Sequence, residues 1–153
     1  MTPEQKLQSL GIELPAGAAP VGAYVPAVRT GNLALTAGQL PMKDGSLIAA
    51  GKVPADVSLQ EAQLAARQAL LNALSALRAE IGSLDNVSRV VRLNVLVNST
   101  TGFTDQAKVA NGASDLLLEV FGDAGRHTRT AVGAAELPLN APVELDITAE
   151  VNA

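Results

Sequence analysis

From Leu59 to Ile81 the apolar side chains recur at 59, 62, 66, 70, 73, 74, 77 and 81. Steps of three and four place them in one continuous stripe along a helix. Arg67, Asn72, Arg78 and Glu80 lie off that stripe. Ser58, with Glu61 three positions on, has the form of a capping box, and Gly82 stands where a left-handed residue ends a helix. The pattern predicts a helix over 58–81 that buries one face. A second helix is predicted from Thr104, read as its cap with Asp105 in the first turn. Its apolar positions are 109, 110, 113, 116, 117, 120 and 121, with Gly122 as the stop.

Elsewhere the period drops to two. Val87–Val97 reads as a strand with Val91, Leu93, Val95 and Val97 on one face and Arg92 and Asn94 on the other. Thr128–Ala135 and Val143–Val151 read as two more strands. The last has Val143, Leu145, Ile147, Ala149 and Val151 on one face. Earlier, Ala23–Arg29 and Leu33–Ala37 form a predicted hairpin through Thr30-Gly31-Asn32. Lys43-Asp44-Gly45-Ser46 is a predicted turn before a short strand near Leu47–Ala50. Residues 1–20, rich in Pro and Gly, read as a leading turn of helix and an extended arm.

Strands and helices do not alternate strictly, so a doubly wound parallel sheet is not expected. The order predicts an α+β fold: one domain over residues 1–153, with two helices packed on one face of a mixed sheet. The other face is expected to carry small and apolar groups and to be covered by further copies of the chain.

Composition narrows the chemistry. There is no Cys, no Trp, one His (His127) and three aromatics, Tyr24, Phe103 and Phe121. Thiolate catalysis, disulfides and multi-His metal sites within one chain are excluded, and no metal or cofactor is expected. The net charge of −4 does not favour nucleic acid, and three aromatics supply no stacking platform. No apolar run approaches the roughly 20 residues of a membrane span. The polar start does not read as a signal peptide, so a cytoplasmic location is expected.

Two strands hold the candidate chemistry. Arg129 shares a strand face with Ala131 and Gly133, which leaves a hollow with a cation at one end. A guanidinium fork suits a carboxylate, whether from a small ligand or from an internal Asp or Glu. Glu144 and Asp146 share the polar face of the last strand, where a carboxylate can hold and deprotonate water or simply be solvated. His127 lies on the Arg129 face by strand parity and reads first as a surface or structural histidine. Tyr24 is either a half-buried core residue or a ligand-orienting phenol. No Gly-rich phosphate loop occurs.

Taken together, Gly22-Ala23-Tyr24-Val25, Leu35-Thr36-Ala37-Gly38-Gln39-Leu40-Pro41, Arg129-Thr130-Ala131, Ala134-Ala135-Glu136-Leu137-Pro138 and Val143-Glu144-Leu145-Asp146 resemble the reactive intermediate deaminase A family, also called YjgF. The resemblance runs from about residue 20 to 151 and implies a chorismate mutase-like fold, a homotrimer and clefts between subunits. It implies hydrolysis of reactive enamines and imines, such as 2-aminoacrylate, to 2-keto acids and ammonia. By position, Arg129 matches the carboxylate-binding arginine and Glu144 the glutamate that holds water. Tyr24, Gly38 and Asn111 match pocket residues, Asn111 if one residue is inserted between it and Arg129. Ala37 and Ala131 stand where the family deaminases usually have Ser and often Cys, and the first-helix region is several residues longer. The departures leave a second reading beside the deaminase: a non-catalytic trimer that binds small carboxylates in the same pocket.

Overall fold

The structure, a computed structural model, describes residues 1–17 and 22–153. Positions 18–20 of the predicted arm lie outside the described residues. Helix α1 (Pro3–Ser9) leads, followed by the hairpin β1 (Ala27–Thr30) and β2 (Leu33–Thr36). A two-residue ribbon pair, β3 (Met42–Lys43) and β4 (Ser46–Leu47), comes next. Then follow α2 (Leu59–Ile81), β5 (Val87–Asn98), α3 (Gln106–Phe121), β6 (Thr128–Ala134) and β7 (Val143–Val151). Strands β3 and β4 form their own small sheet. The other five form one sheet in the order β1-β2-β7-β5-β6. Only β5 and β6 run parallel; β1–β2, β2–β7 and β7–β5 are antiparallel.

Both hairpin turns follow from residues that tolerate positive φ. Gly31 (φ 59) leads the Gly31-Asn32 loop, and Asp44 (φ 51) with Gly45 (φ 86) closes the β3–β4 ribbon. The first hairpin is tighter than the expected three-residue loop, because Thr30 pairs with Leu33.

The core lies between one face of the sheet and helices α2 and α3. Leu70, Leu74 and Leu77 of α2 and Leu116 and Leu117 of α3 meet Leu93 and Val95 of β5 and Leu145 and Ile147 of β7, all fully buried. Burying each such side chain contributes roughly 1.5–3 kcal/mol. Helix α1 adds Leu7 to this core and carries a complete capping box: Gln5 N–H donates to Thr2 Oγ1 at 3.3 Å, and Thr2 N–H to Gln5 Oε1 at 3.0 Å.

Three expectations need correction. At α2 the Glu61 N–H donates to Ser58 Oγ at 3.1 Å, as the motif requires. At α3, however, the cap is Asp105 rather than Thr104, and it makes no side-chain capping bond. In β5 two register shifts, between Val87 and Arg89 and between Val90 and Arg92, break the alternation. Val90 therefore takes the core position and Val91 is only half-buried. A bulge inserts a residue and reverses the facing of what precedes it.

The third correction concerns the open face. It carries Glu144, Asp146 and Thr148 of β7 beside Arg92, Asn94 and Leu96 of β5, not small apolar groups alone. Its apolar part is Val28, Leu33, Leu35 and Val132, each between 37% and 49% exposed. No helix of the described residues is long and apolar enough to cross a membrane.

Candidate functional site

Arg129 lies on β6, an edge strand, beside Leu93 of β5. Leu93 faces the helices, so Arg129, Ala131 and Gly133 face them too. Helix α3 supplies the partners. Arg129 Nη1 donates to Asn111 Oδ1 at 2.8 Å and to Ser114 Oγ at 3.1 Å. Ser114 Oγ also lies 2.9 Å from His127 Nε2, and His127 Nδ1 lies 2.7 Å from the Gly125 carbonyl. The alternative of an internal carboxylate partner is not met: no ion pair to Arg129 occurs among the described residues. Its charge is held by neutral acceptors only.

The approach of α3 is set by two glycines. A Cβ on Gly112 would stand 2.1 Å from the Gln63 carbonyl oxygen of α2, and one on Gly125 would stand 2.3 Å from the Leu117 carbonyl oxygen. The first holds the helix crossing close. The second fixes the turn whose carbonyl receives His127.

Glu144 occupies the other face. It is half-buried, and its carboxyl rests against Gly38, whose Cβ, were there one, would lie 3.1 Å from Glu144 Cδ. Gly38 is held there by paired backbone bonds on the next residue: Gln39 N–H donates to Leu145 O at 2.7 Å, and Leu145 N–H to Gln39 O at 3.0 Å. Burial raises the Glu144 carboxyl above its ordinary acidity range, and the charge of Asp146 adds to the rise. Asp146 itself accepts from Asn94 Nδ2 at 3.2 Å. Ala37, next to Gly38, has its N–H taken by the Pro26 carbonyl at 2.8 Å.

Tyr24 is not a core residue. It is 53% exposed and lines a cavity of about 350 Å³ together with Gly38, Leu40, Met42 and Asn72. Asn72 of α2 shapes that wall by donating to the Leu40 and Met42 carbonyls at 2.9 and 3.0 Å. Ser75 donates to the Pro15 carbonyl at 2.5 Å and holds the N-terminal segment over the same helix.

The expected residues thus form two groups. Arg129, Asn111 and Ala131 line the helix side of β6, whereas Gly38 meets Glu144 beyond β7, Ala37 precedes it in the chain, and Tyr24 lines a cavity that Gly38 shares. Strand β5 separates them, because Arg129 pairs with Leu93 and Glu144 with Leu96. An odd offset of three residues puts the two side chains on opposite faces of the sheet. They are also displaced by about 10 Å along the strands and about 10 Å across them. Ser114 was not singled out from the sequence, although it lies one helical turn from Asn111, the spacing that places two side chains together. His127 joins the arginine group rather than the surface. No cluster of three or more potential metal-ligating side chains occurs among the described residues.

A five-stranded mixed sheet with two long helices on one face, an edge-strand arginine held by the second of them and a carboxylate on the opposite face define a chorismate mutase-like α+β protein. Residues 4–151 match the family described as "YjgF/chorismate_mutase-like, putative endoribonuclease". The chain belongs to the YjgF family, to which the name reactive intermediate deaminase A also applies. It is 50% identical over 147 residues to Protein TCP17 of Trypanosoma cruzi, covering 95% of this chain and 92% of the relative. Among solved structures it is similar to Atu1372 of Agrobacterium tumefaciens, a protein of unknown function. There the TM-score is 0.90 at 42% identity, covering 98% and 92% of the two chains. It is also similar to E. coli TdcF with bound serine, with a TM-score of 0.63 at 27% identity, covering 92% and 94%.

Proposed function

We propose that the protein is a metal-free hydrolase of small imines and enamines bearing a carboxylate, releasing 2-keto acids and ammonia from a cleft between subunits of a homotrimer. The observation that carries this reading is the Arg129 guanidinium. It is fixed by Asn111 and Ser114 beside the small Ala131, with no carboxylate of its own. A cation so placed suits the carboxylate of a small substrate. The serine bound to TdcF is a small amino carboxylate of that kind.

In this mechanism Arg129 anchors the substrate carboxylate. An enamine first tautomerises to the imine by moving a proton from nitrogen to carbon. Glu144, with its raised proton affinity, holds a water and takes one of its protons as the oxygen attacks the imine carbon. Glu144 returns that proton to the nitrogen, giving the carbinolamine; as this collapses, the hydroxyl proton passes through the same carboxylate to the nitrogen, which leaves as ammonia while the carbon becomes the keto group. Because Arg129 and Glu144 of one chain lie on opposite faces, the pair that acts on one substrate comes from two chains. The exposed Val28, Leu33, Leu35 and Val132 support burial of the open face in such an assembly.

Ammonia and keto-acid release from imines generated by an amino-acid oxidase tests the activity. Arg129→Ala is expected to lower kcat/KM by about 10- to 100-fold, the weight of a bond to a charged group. Arg129→Lys is expected to recover little of it, since an ammonium lacks the planar fork. No rate above buffer across a broad panel of amino acids would sink the hydrolase. Tight 2-keto-acid binding in that case would leave the carrier reading. Net charge −4 weighs against RNA as substrate.

A further inference from the structure

We propose that Ser114 and His127 are positioning residues that lock the Arg129 guanidinium so that one particular edge of it faces the ligand. The proposal rests on the reading of Arg129 as a carboxylate anchor, and it follows from counting hydrogens. The Gly125 carbonyl can only accept, so His127 Nδ1, 2.7 Å away, carries a proton. In the neutral ring Nε2 then holds a lone pair, and it accepts the Ser114 hydroxyl hydrogen at 2.9 Å. With that hydrogen committed, the Ser114 oxygen is left as an acceptor and takes one hydrogen of Arg129 Nη1 at 3.1 Å. Asn111 Oδ1 takes the other at 2.8 Å.

Both hydrogens of Nη1 are therefore spent inside the protein. The Nε–H and the two Nη2–H groups find no acceptor among the described residues. The edge that joins Nε and Nη2 offers two parallel donors at the spacing of a carboxylate. The site accordingly selects a planar carboxylate bound side-on. The three-link chain from Gly125 through His127 and Ser114 determines which edge of the fork is offered.

Ser114 is 8% exposed and sits within α3, so it does not itself meet a ligand. Without His127 its hydroxyl hydrogen has no fixed acceptor, and the oxygen's lone pairs are no longer held toward Arg129 Nη1. Without Ser114, one Nη1 hydrogen loses its acceptor and the guanidinium gains freedom to rotate. The two residues act on Arg129 through one path, and their effects on ligand binding are expected to be non-additive.

The test is calorimetric binding of 2-oxobutanoate to the full chain, with thermal unfolding followed in parallel. Ser114→Ala is expected to weaken binding about tenfold, the weight of one misaligned charge-assisted bond, with little change in Tm. Ser114→Thr, which keeps the hydroxyl, is expected to bind like the native protein. His127→Ala is expected to weaken binding severalfold, and Ser114→Ala/His127→Ala no further than Ser114→Ala alone. Native-like binding in Ser114→Ala and His127→Ala, or losses that simply add in the double variant, would overturn the relay and leave Arg129 as the anchor. If Ser114→Ala does not fold, native-like binding in His127→Ala overturns the relay. Native protein that binds no 2-oxobutanoate would overturn the anchor and the relay together.

Discussion

Glu144 carries a cost for the fold that its proposed role as a base would explain. Its carboxyl is raised in the folded chain by burial first and by Asp146 second. The folded state therefore binds this proton more readily than the unfolded chain does. The stabilising contribution of the protonated form is present at low pH and is lost as pH rises through the folded value. Glu144→Gln, neutral throughout, is then expected to have a Tm at or above that of the native protein at pH 7. The gap should close as pH falls below about 4, where a carboxyl is neutral in both states. Differential scanning calorimetry across that range checks it. The same variant is expected to lose hydrolysis, and the acid limb of the native rate profile should lie above the ordinary carboxylate range. Arg129 and Glu144 were legible because strand alternation assigns each a face without knowledge of the partners. Ser114 was not, because a serine inside an amphipathic helix has no periodic signature. Its role emerges only when β6 returns beside α3 and brings His127 with it.

The helices position the arginine group through a close crossing at Gly112, on the chain between Asn111 and Ala113. Gln63 reinforces that crossing by donating from Nε2 to the Lys108 carbonyl at 2.9 Å. Gly112→Ala drives a methyl into backbone that cannot swing aside, and about 1–3 kcal/mol or more is the expected loss. At about 2–4 °C per kcal/mol for a chain of this size, the fall in Tm is several degrees. Gly17→Ala, with open space around it, is the control and should leave Tm nearly unchanged. Most elements were readable from period alone, and the α2 and β7 boundaries fall within one residue of expectation. The bulges of β5 were not, because an extra residue in one strand is defined by its partner's register. The Asp105 cap was missed for a related reason. Thr104 has the right chemistry, but the backbone enters the helix one residue later.

For the whole molecule, an arginine and a glutamate on opposite faces make the assembly testable without a structure of it. Light scattering is expected to give the mass of three chains; a monomer would remove both the trimer and the shared cleft. Arg129→Ala and Glu144→Ala homomers should each be nearly inactive. Unfolded together at equal amounts and refolded, they should recover about a quarter of native activity, since that share of clefts takes its arginine from a Glu144→Ala chain and its glutamate from an Arg129→Ala chain. No recovery would place both groups in a cleft formed by a single chain. The proposed trimer rests on the family resemblance and on the need of an uncovered apolar sheet face for a partner. A mainly apolar face would demand such cover most strongly, and the carboxylates of β7 make this face a more polar one.

The placement of Arg129 and Glu144 on the two sides of one sheet also bears on inheritance. In the proposed ring of three with shared clefts, a chain defective in either residue alone is expected to silence one cleft, whereas a chain defective in both is expected to silence two, because it fails each neighbour in turn. Co-expressed with normal subunits, the doubly defective chain is thus the stronger dominant inhibitor.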